Sequence, residues 1–234
     1  MSQSSHPRDA FTSRLWCRVA HGTVAPAMTD DRLPATARIA AALTALVGAA
    51  SLGVQPWVSA LLLDVAPFSA AAFEFMSAFF TILTNLWVTL LLARVALTGR
   101  PPGPSLAAML TLSMLMVGGV YHAVLARLWD PYGFWLWADH GLHTVMPLAV
   151  AAWWLVYAPK VPLGPVAPFA WLIWPGLYGV YGLLRGVVTG WYPYPFLDVG
   201  RLGVDVVAMN VVVLGAIFLA GGYALWAVAR LCAR

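Results

Sequence analysis

Six long stretches of mostly apolar residues run through this sequence. They cover roughly residues 35–54, 72–97, 104–128, 138–158, 166–189 and 203–229. A helix needs about 20 mostly apolar residues to cross the hydrocarbon core of a bilayer. Only 9% of the residues are charged, compared with roughly 25% in an average soluble domain. The sequence therefore predicts an all-α polytopic membrane protein, folded as a six-helix transmembrane bundle.

The six spans leave no room for a second folded domain. We expect residues 34–234 to form the transmembrane domain and residues 1–33 to form a cytoplasmic N-terminal tail. The tail is polar, and it lacks the short apolar run and the small-residue cleavage site of a signal peptide. Its basic residues are Arg8, Arg14, Arg18 and Arg32.

The distribution of basic residues predicts the orientation of the bundle, because basic flanks are retained on the cytoplasmic side. With the N-terminus inside, ten of the 13 Lys and Arg residues fall in the tail, the 97–104 and 158–166 loops, the C-terminus and the adjoining helix ends. Most acidic residues fall at the opposite end. Both termini are therefore predicted to be cytoplasmic, in the plasma (inner) membrane if the chain is bacterial.

The same topology accounts for the net charge of +4. Basic residues on the cytoplasmic side attract anionic lipids, so we expect membrane lipids and no nucleic acid as partners. Cys17 and Cys232 both fall on the reducing side, which predicts that they form no structural disulfide.

Polar side chains occur within five of the six spans, all toward the predicted outer end. An ionisable side chain in lipid is costly and usually faces the bundle interior or a cavity. At 1.5 Å per residue, these side chains lie within about 15 Å of the outer surface. We therefore expect a polar site in the outer half of the bundle, formed from Thr81, Thr84, Asn85, His122, His140, His143, Arg185, Asp205 and Asn210.

Each of these residues also has a simpler explanation. A single intramembrane threonine usually bonds to its own helix or to a neighbouring one. A histidine at the start of a helix is often a hydrated interfacial residue, and Arg185 could form a structural ion pair with Asp205. These explanations do not account for the shared layer, so we favour a site.

The segment "DHGLHTVMP", residues 139–147, carries the most local detail. Asp139 and His143 are four residues apart and His140 and His143 are three apart, so each pair lies along one helix face. We expect Asp139 to hold the His143 ring and select its tautomer, as an acid does in a hydrolase triad. Pro147 has no N–H group and tends to bend a helix. A bend there would open a pocket beside the histidines.

The segment "GWYPYPFLD", residues 190–198, is aromatic and stiffened by proline. We expect it to lie at the outer interface as a lid or rim over the pocket, with an ordinary aromatic belt as the alternative. The residues predicted to line the pocket or lid are His122, Trp191, Tyr194 and Phe196.

Three segments in this order resemble one known family. "FFTILTNL" (79–86), "DHGLHTVMP" (139–147) and "TGWYPYPFLD" (189–198) resemble the androgen-induced and androgen-dependent transmembrane hydrolases and their bacterial relatives. The resemblance covers roughly residues 70–200. It implies an intramembrane threonine and a histidine that hydrolyse lipid esters, notably fatty-acid esters of hydroxy fatty acids. The positions that match are Thr81 and His143, with Thr84 as a second candidate for the threonine.

The resemblance implies a serine-hydrolase-like threonine esterase with a role in lipid metabolism. A threonine hydroxyl needs a base to remove its proton, and a neutral histidine suits that role. The ester would enter laterally from the outer leaflet and pass through an acyl-threonine intermediate. No cofactor and no metal is expected. The candidate supporting, orienting or oxyanion-binding residues are Asn85, Asp139, His140, Arg185 and Asp205.

Two other classes of function use the same residues. His122, His140 and His143 with Asp139 or Asp205 could hold zinc for hydrolysis of a lipid amide or ester, although no HxxxH or HExxH signature is present. The chain could instead be a lipid or proton transporter, or a haem protein with histidine ligands. The repeats and paired broken helices of transporters are missing.

Overall fold

A computed structural model describes residues 32–128 and 130–233, and every regular element in this part of the chain is helical. The all-α prediction is therefore confirmed. The predicted N-terminal tail falls almost entirely outside the described residues. The α-helices, in chain order, are α1 (Ala35–Leu63), α2 (Ala70–Ser77), α3 (Phe80–Thr98), α4 (Pro104–Val120), α5 (Phe134–His140), α6 (Met146–Tyr157), α7 (Ala167–Ala170), α8 (Ile173–Thr189), α9 (Val199–Leu202) and α10 (Val204–Cys232).

Four of these helices are long and apolar enough to cross a membrane. They are α1, α3, α10 and α4 together with the π-helical turn Tyr121–Leu125 that continues it. Four such helices indicate a multi-pass membrane protein. The other two predicted spans are helical but interrupted: a second π-helical turn, Gly141–Val145, joins α5 to α6, and residues 171–172 separate α7 from α8. Six spans and cytoplasmic termini therefore remain predictions.

The helices pack around a core built mainly from α1, α3, α4 and α6. Helix α1 lies against α3 with very little space between them: a Cβ added at Gly48 would lie 2.1 Å from Thr89 Oγ1 and 2.8 Å from Met146 Cε. Where the first turn of α1 meets the last turn of α3, the Arg38 guanidinium donates to the Ala96 and Leu97 carbonyls, at 3.0 and 3.3 Å. A cation at a helix C-terminus is favoured by the helix dipole.

The prediction of one continuous helix over 72–97 is wrong, because the helix is broken between α2 and α3. Two tyrosines take the place of helical hydrogen bonds there. The Tyr178 hydroxyl donates to the Ala78 carbonyl at 2.7 Å, and the Thr81 N–H donates to the Tyr194 hydroxyl at 3.4 Å. In an unbroken helix that carbonyl would accept from Ile82. The break places Thr81 in the first turn of a new helix.

The helix that carries the "DHGLHTVMP" segment departs from α-helical geometry in the turn before Pro147. The Met146 N–H bonds to the Gly141 carbonyl, five residues earlier, as in a π-helix. Pro147 then lies in the first turn of α6, a position in which proline is common. Helix α4 approaches this turn closely at Gly118, where a Cβ would lie 3.1 Å from the His143 carbonyl oxygen.

Cys17 lies outside the described residues, so the expectation about a disulfide between the two cysteines stays a prediction.

Candidate active site

A cavity of about 360 Å³ lies between α1, α2, α3, the two π-helical turns and the loop that follows α8. Most of its wall is apolar, with Val58 and Leu62 from α1 and Leu125 and Leu128 from the end of the α4 segment. A mostly apolar cavity with a few polar groups is the usual form of a small-molecule site. The polar side chains that line it are Gln55, Ser59, Thr81, Tyr121, Asp139, His143 and Tyr194.

Thr81 enters the cavity from the first turn of α3. Its side chain is buried, at 7% exposure, and the next residue, Ile82, also lines the cavity. N–H groups in the first turn of a helix have no acceptor within the helix. The Thr81 N–H bonds to Tyr194, and the Ile82 N–H makes no hydrogen bond within the described residues. The Thr81 hydroxyl and one available backbone donor are therefore side by side at one wall.

The predicted contact between Asp139 and His143 is present. His143 Nδ1 lies 3.1 Å from Asp139 Oδ1 and 3.1 Å from the Asp139 carbonyl oxygen. Both of these oxygens are acceptors, so the proton of the neutral ring belongs on Nδ1. This tautomer leaves the lone pair on Nε2, which makes no hydrogen bond within the described part of the chain. The histidine is thus arranged as a base toward the cavity.

Tyr121 completes this group from the opposite helix. Its hydroxyl donates to Asp139 Oδ2 in a short hydrogen bond. Its ring stacks on the His143 ring, with centroids 4.0 Å apart and planes 11° apart. Tyr121 was not among the site residues predicted from the sequence. A tyrosine next to His122 inside an apolar span was the available signal, but the sequence does not indicate which face of α4 meets the histidine.

Asn85 connects α3, which carries Thr81, to the π-helical turn that carries His143. It is fully buried, and its Nδ2 donates to the Thr81 carbonyl at 2.9 Å and to the Leu142 carbonyl at 3.4 Å. These bonds fit the orienting role among those predicted for Asn85. Asn85 does not line the cavity, so an oxyanion-binding role is not supported.

The loop after α8 lies along one side of the cavity, in the segment where the sequence predicts a lid or rim. Tyr194 lines the cavity and is buried, and Phe196 stacks on it with centroids 5.3 Å apart. Trp191 lies farther out, with its ring 5.1 Å from Phe75 and 5.9 Å from Phe79. The lid is thus held by aromatic contacts with α2 and the break that follows it.

The structure places two predicted histidines outside the site. His122 and His140 are exposed, and neither lines the cavity. His122 Nε2 instead lies 3.0 Å from Thr144 Oγ1. Neighbouring residues of a helix point in directions about 100° apart, so His122 and His140 do not share the direction of Tyr121 and Asp139 toward the cavity. Within the described residues, no group of three or more His, Cys, Asp or Glu side chains could hold a metal ion, so the zinc arrangement predicted as an alternative is not formed.

Two charged residues predicted as supporting groups also lie elsewhere. Arg185 Nη2 is 3.4 Å from Glu74 Oε1, and its guanidinium lies 5.4 Å from the Trp191 ring centre. The predicted ion pair of Arg185 with Asp205 is therefore replaced by one with Glu74. Asp205 is exposed in the first turn of α10, where a carboxylate is favoured by the helix dipole. Neither residue lines the cavity.

No protein-family model, curated protein or solved structure matches this chain.

Proposed function

We propose that this protein is an intramembrane hydrolase of lipid esters, with Thr81 as nucleophile and His143 as general base. The observation that carries the proposal is that Thr81 and the Asp139–His143 pair line the same cavity, although they lie 58 to 62 residues apart in sequence. A nucleophile, a base and a group that orients the base are the minimum set for acyl transfer by this route.

Thr81 is preferred over Thr84 because of their hydrogen bonds. The Thr84 hydroxyl is fully buried and accepts from Trp174 Nε1 at 3.0 Å, and it does not line the cavity. It therefore has a structural role between α3 and α8. Among the residues that the structure describes, Thr81 is the only threonine that lines the cavity.

The reaction runs in two halves. The Thr81 hydroxyl oxygen bonds to the ester carbonyl carbon while its proton passes to His143 Nε2, and the bond to the alcohol oxygen breaks as that oxygen takes the proton from His143. This leaves an acyl-threonine. Water then attacks the acyl carbon and gives its proton to His143, which returns it to the Thr81 oxygen as the fatty acid leaves.

The negative charge that develops on the carbonyl oxygen needs donors beside the nucleophile. The first turn of α3 supplies one, because the Ile82 N–H makes no hydrogen bond within the described residues and lies where the helix dipole also favours an anion. This differs from the sequence-based candidates. Asn85 Nδ2 is already bonded to two carbonyls, and Arg185 and His140 do not line the cavity.

The apolar wall supports a substrate with a long chain. Val58 and Leu62 face Leu125 and Leu128 across a space of about 360 Å³, which suits an acyl chain rather than a polar metabolite. In the proposed six-span topology with cytoplasmic termini, the site lies in the outer half of the bilayer. The ester then enters laterally from the outer leaflet, in agreement with the resemblance to androgen-induced transmembrane hydrolases.

The test is ester hydrolysis by the purified protein in detergent, together with fluorophosphonate labelling and mass spectrometry to locate the adduct. Wild type should cleave long-chain fatty-acid esters and carry the adduct on Thr81. Thr81→Val and His143→Ala should lose both hydrolysis and labelling, by about 100-fold or more.

Two variants serve as matched controls. Thr84→Val removes the neighbouring threonine and His140→Ala removes the exposed histidine, and both should keep most of the activity. The proposal is overturned if folded wild-type protein neither cleaves an ester nor takes the label, or if Thr81→Val keeps full activity.

A further inference from the structure

We infer that Tyr121 is a positioning residue that locks Asp139 and His143 into the geometry of a base, an inference that rests on the proposed function above. Two contacts of different kinds carry it. The Tyr121 hydroxyl donates to Asp139 Oδ2, and the Tyr121 ring lies parallel to the His143 ring at 4.0 Å. One side chain therefore holds both members of the pair.

The carboxylate of Asp139 has separate partners for its two oxygens. Oδ1 faces His143 Nδ1 at 3.1 Å, and Oδ2 accepts from Tyr121. The carboxylate cannot rotate without losing one of these bonds. Tyr121 and Asp139 are only 6% and 7% exposed, so little water can replace either partner, and a bond in such surroundings is stronger than one in water.

The two π-helical turns bring these groups together. Tyr121 begins the turn that ends α4, and His143 is the middle residue of the turn between α5 and α6. Such turns are rare and often occur at functional sites. Gly118 permits the close approach of the two helices, since a side chain there would press on the His143 carbonyl.

The chemical consequence concerns the free nitrogen of the histidine. With Oδ1 held toward Nδ1, the ring proton stays on Nδ1 and the lone pair stays on Nε2. The stacked Tyr121 ring limits rotation of the imidazole, so Nε2 keeps its direction. The Tyr121 hydroxyl bonds to Asp139 and not to Thr81. It acts only through Asp139 and His143.

The first test is the tautomer of His143, measured by NMR of protein labelled with ¹⁵N-histidine at a pH where the imidazole is neutral. The chain has five histidines, and His143→Gln identifies the signal. Wild type should show the Nδ1–H form. Tyr121→Phe, which keeps the ring but removes the hydroxyl, should show a mixture of tautomers. An unchanged tautomer in Tyr121→Phe would overturn the inference.

The second test is a double-mutant cycle on ester hydrolysis. Tyr121→Phe should lower kcat about tenfold with little change in KM. Because the hydroxyl acts through the carboxylate, adding Tyr121→Phe to Asp139→Asn should cause no further loss. Additive losses would mean that the hydroxyl acts independently of Asp139 and would contradict the inference. Tyr132→Phe, at a tyrosine that is 70% exposed, is the matched control.

The two tests separate failure of this inference from failure of the proposed function. If Thr81→Val is inactive but the Tyr121 and Asp139 effects are additive, only the positioning role is lost. If Thr81→Val and His143→Ala keep full activity, the hydrolase proposal fails, while the tautomer measurement still decides whether Tyr121 controls the His143 ring.

Discussion

The candidate site depends on a close contact between α4 and the π-helical turn that carries His143. Gly118 is the residue of α4 at this contact. A Cβ added there would lie 3.1 Å from the His143 carbonyl oxygen and 3.2 Å from Pro147 Cβ. A backbone carbonyl and a proline ring cannot move aside easily, so the space depends on the absence of a side chain. The next residue, Gly119, meets nothing within 4 Å.

We therefore predict different results for two neighbouring glycine substitutions. Gly119→Ala should leave stability unchanged or raise it by up to about 1 kcal/mol, because alanine favours the helix. Gly118→Ala should be less stable than Gly119→Ala by about 1–3 kcal/mol, because the added methyl group overpacks the interface. Thermal unfolding in detergent measures both. Equal stability of the two variants would show that α4 does not approach His143 this closely.

At the scale of helices, the break between α2 and α3 sets the position of Thr81. The Tyr178 hydroxyl, from α8, donates to the Ala78 carbonyl. The Tyr194 hydroxyl, from the loop after α8, accepts from the Thr81 N–H. The threonine therefore lies at the start of a helix, beside an Ile82 N–H that makes no hydrogen bond within the described residues, only while these two tyrosines are in place. Elements distant in sequence thus define the local geometry of the nucleophile.

Removal of the Tyr178 hydroxyl should weaken this break. Tyr178→Phe leaves the Ala78 carbonyl without a donor in a buried setting, so we expect a loss of about 1–3 kcal/mol and a lower rate of Thr81 labelling. The suitable control is Tyr181→Phe, because the Tyr181 hydroxyl contacts Ser77 Oγ at an exposed position. A Tyr178→Phe variant with wild-type unfolding temperature and labelling rate would argue against this account.

The loop after α8, the predicted lid, is the second element whose packing bears on the proposed function. Trp191 contacts Phe75, Phe79 and the Arg185 guanidinium, whereas Glu74, which pairs with Arg185, is 66% exposed. An exposed ion pair contributes at most about 1 kcal/mol. Aromatic contact, rather than charge, should therefore hold the lid closed.

We predict that Trp191→Ala raises KM for long-chain esters several-fold, while Glu74→Gln changes KM little. Steady-state hydrolysis with esters of increasing chain length measures the effect. Trp137→Ala provides a control at a tryptophan that is 80% exposed. If Glu74→Gln has the larger effect on KM, the ion pair rather than the tryptophan controls the lid.

For the whole molecule, two arrangements differ in the number of helices that cross the membrane. Four helices satisfy the length and apolarity of a span, and the sequence predicts six. Both arrangements place the termini on the same side, but they differ for the 158–166 loop. This loop is cytoplasmic with six spans, and it lies on the outer side if the α5–α6 segment and α8 do not cross.

Cysteine accessibility in intact cells distinguishes the two arrangements. In a Cys17→Ser, Cys232→Ser background, a membrane-impermeant maleimide should label Asp130→Cys and leave Gly164→Cys unlabelled until the membrane is opened. Gly103→Cys is the internal reference, since its loop is cytoplasmic in both arrangements. Labelling of Gly164→Cys in intact cells would contradict six spans.

The features that depend on local spacing could be predicted from the sequence. Long apolar runs identify helices wherever the chain must satisfy its backbone in lipid, and an i, i+4 separation places Asp139 beside His143 on any helix. The aromatic lid next to the site was also predicted from its own segment. These features require no knowledge of how the helices rotate against one another.

Only the tertiary structure decided which polar residues share the cavity. It includes Thr81, His143 and Tyr121, and it excludes His122 and His140. The physical reason is that helices apolar on all sides carry no amphipathic pattern to mark the buried face. Their rotation is set by close contacts such as those at Gly48 and Gly118, which join residues distant in sequence. The break before Thr81 has the same origin, because the tyrosines that replace its helical hydrogen bonds come from α8 and the lid.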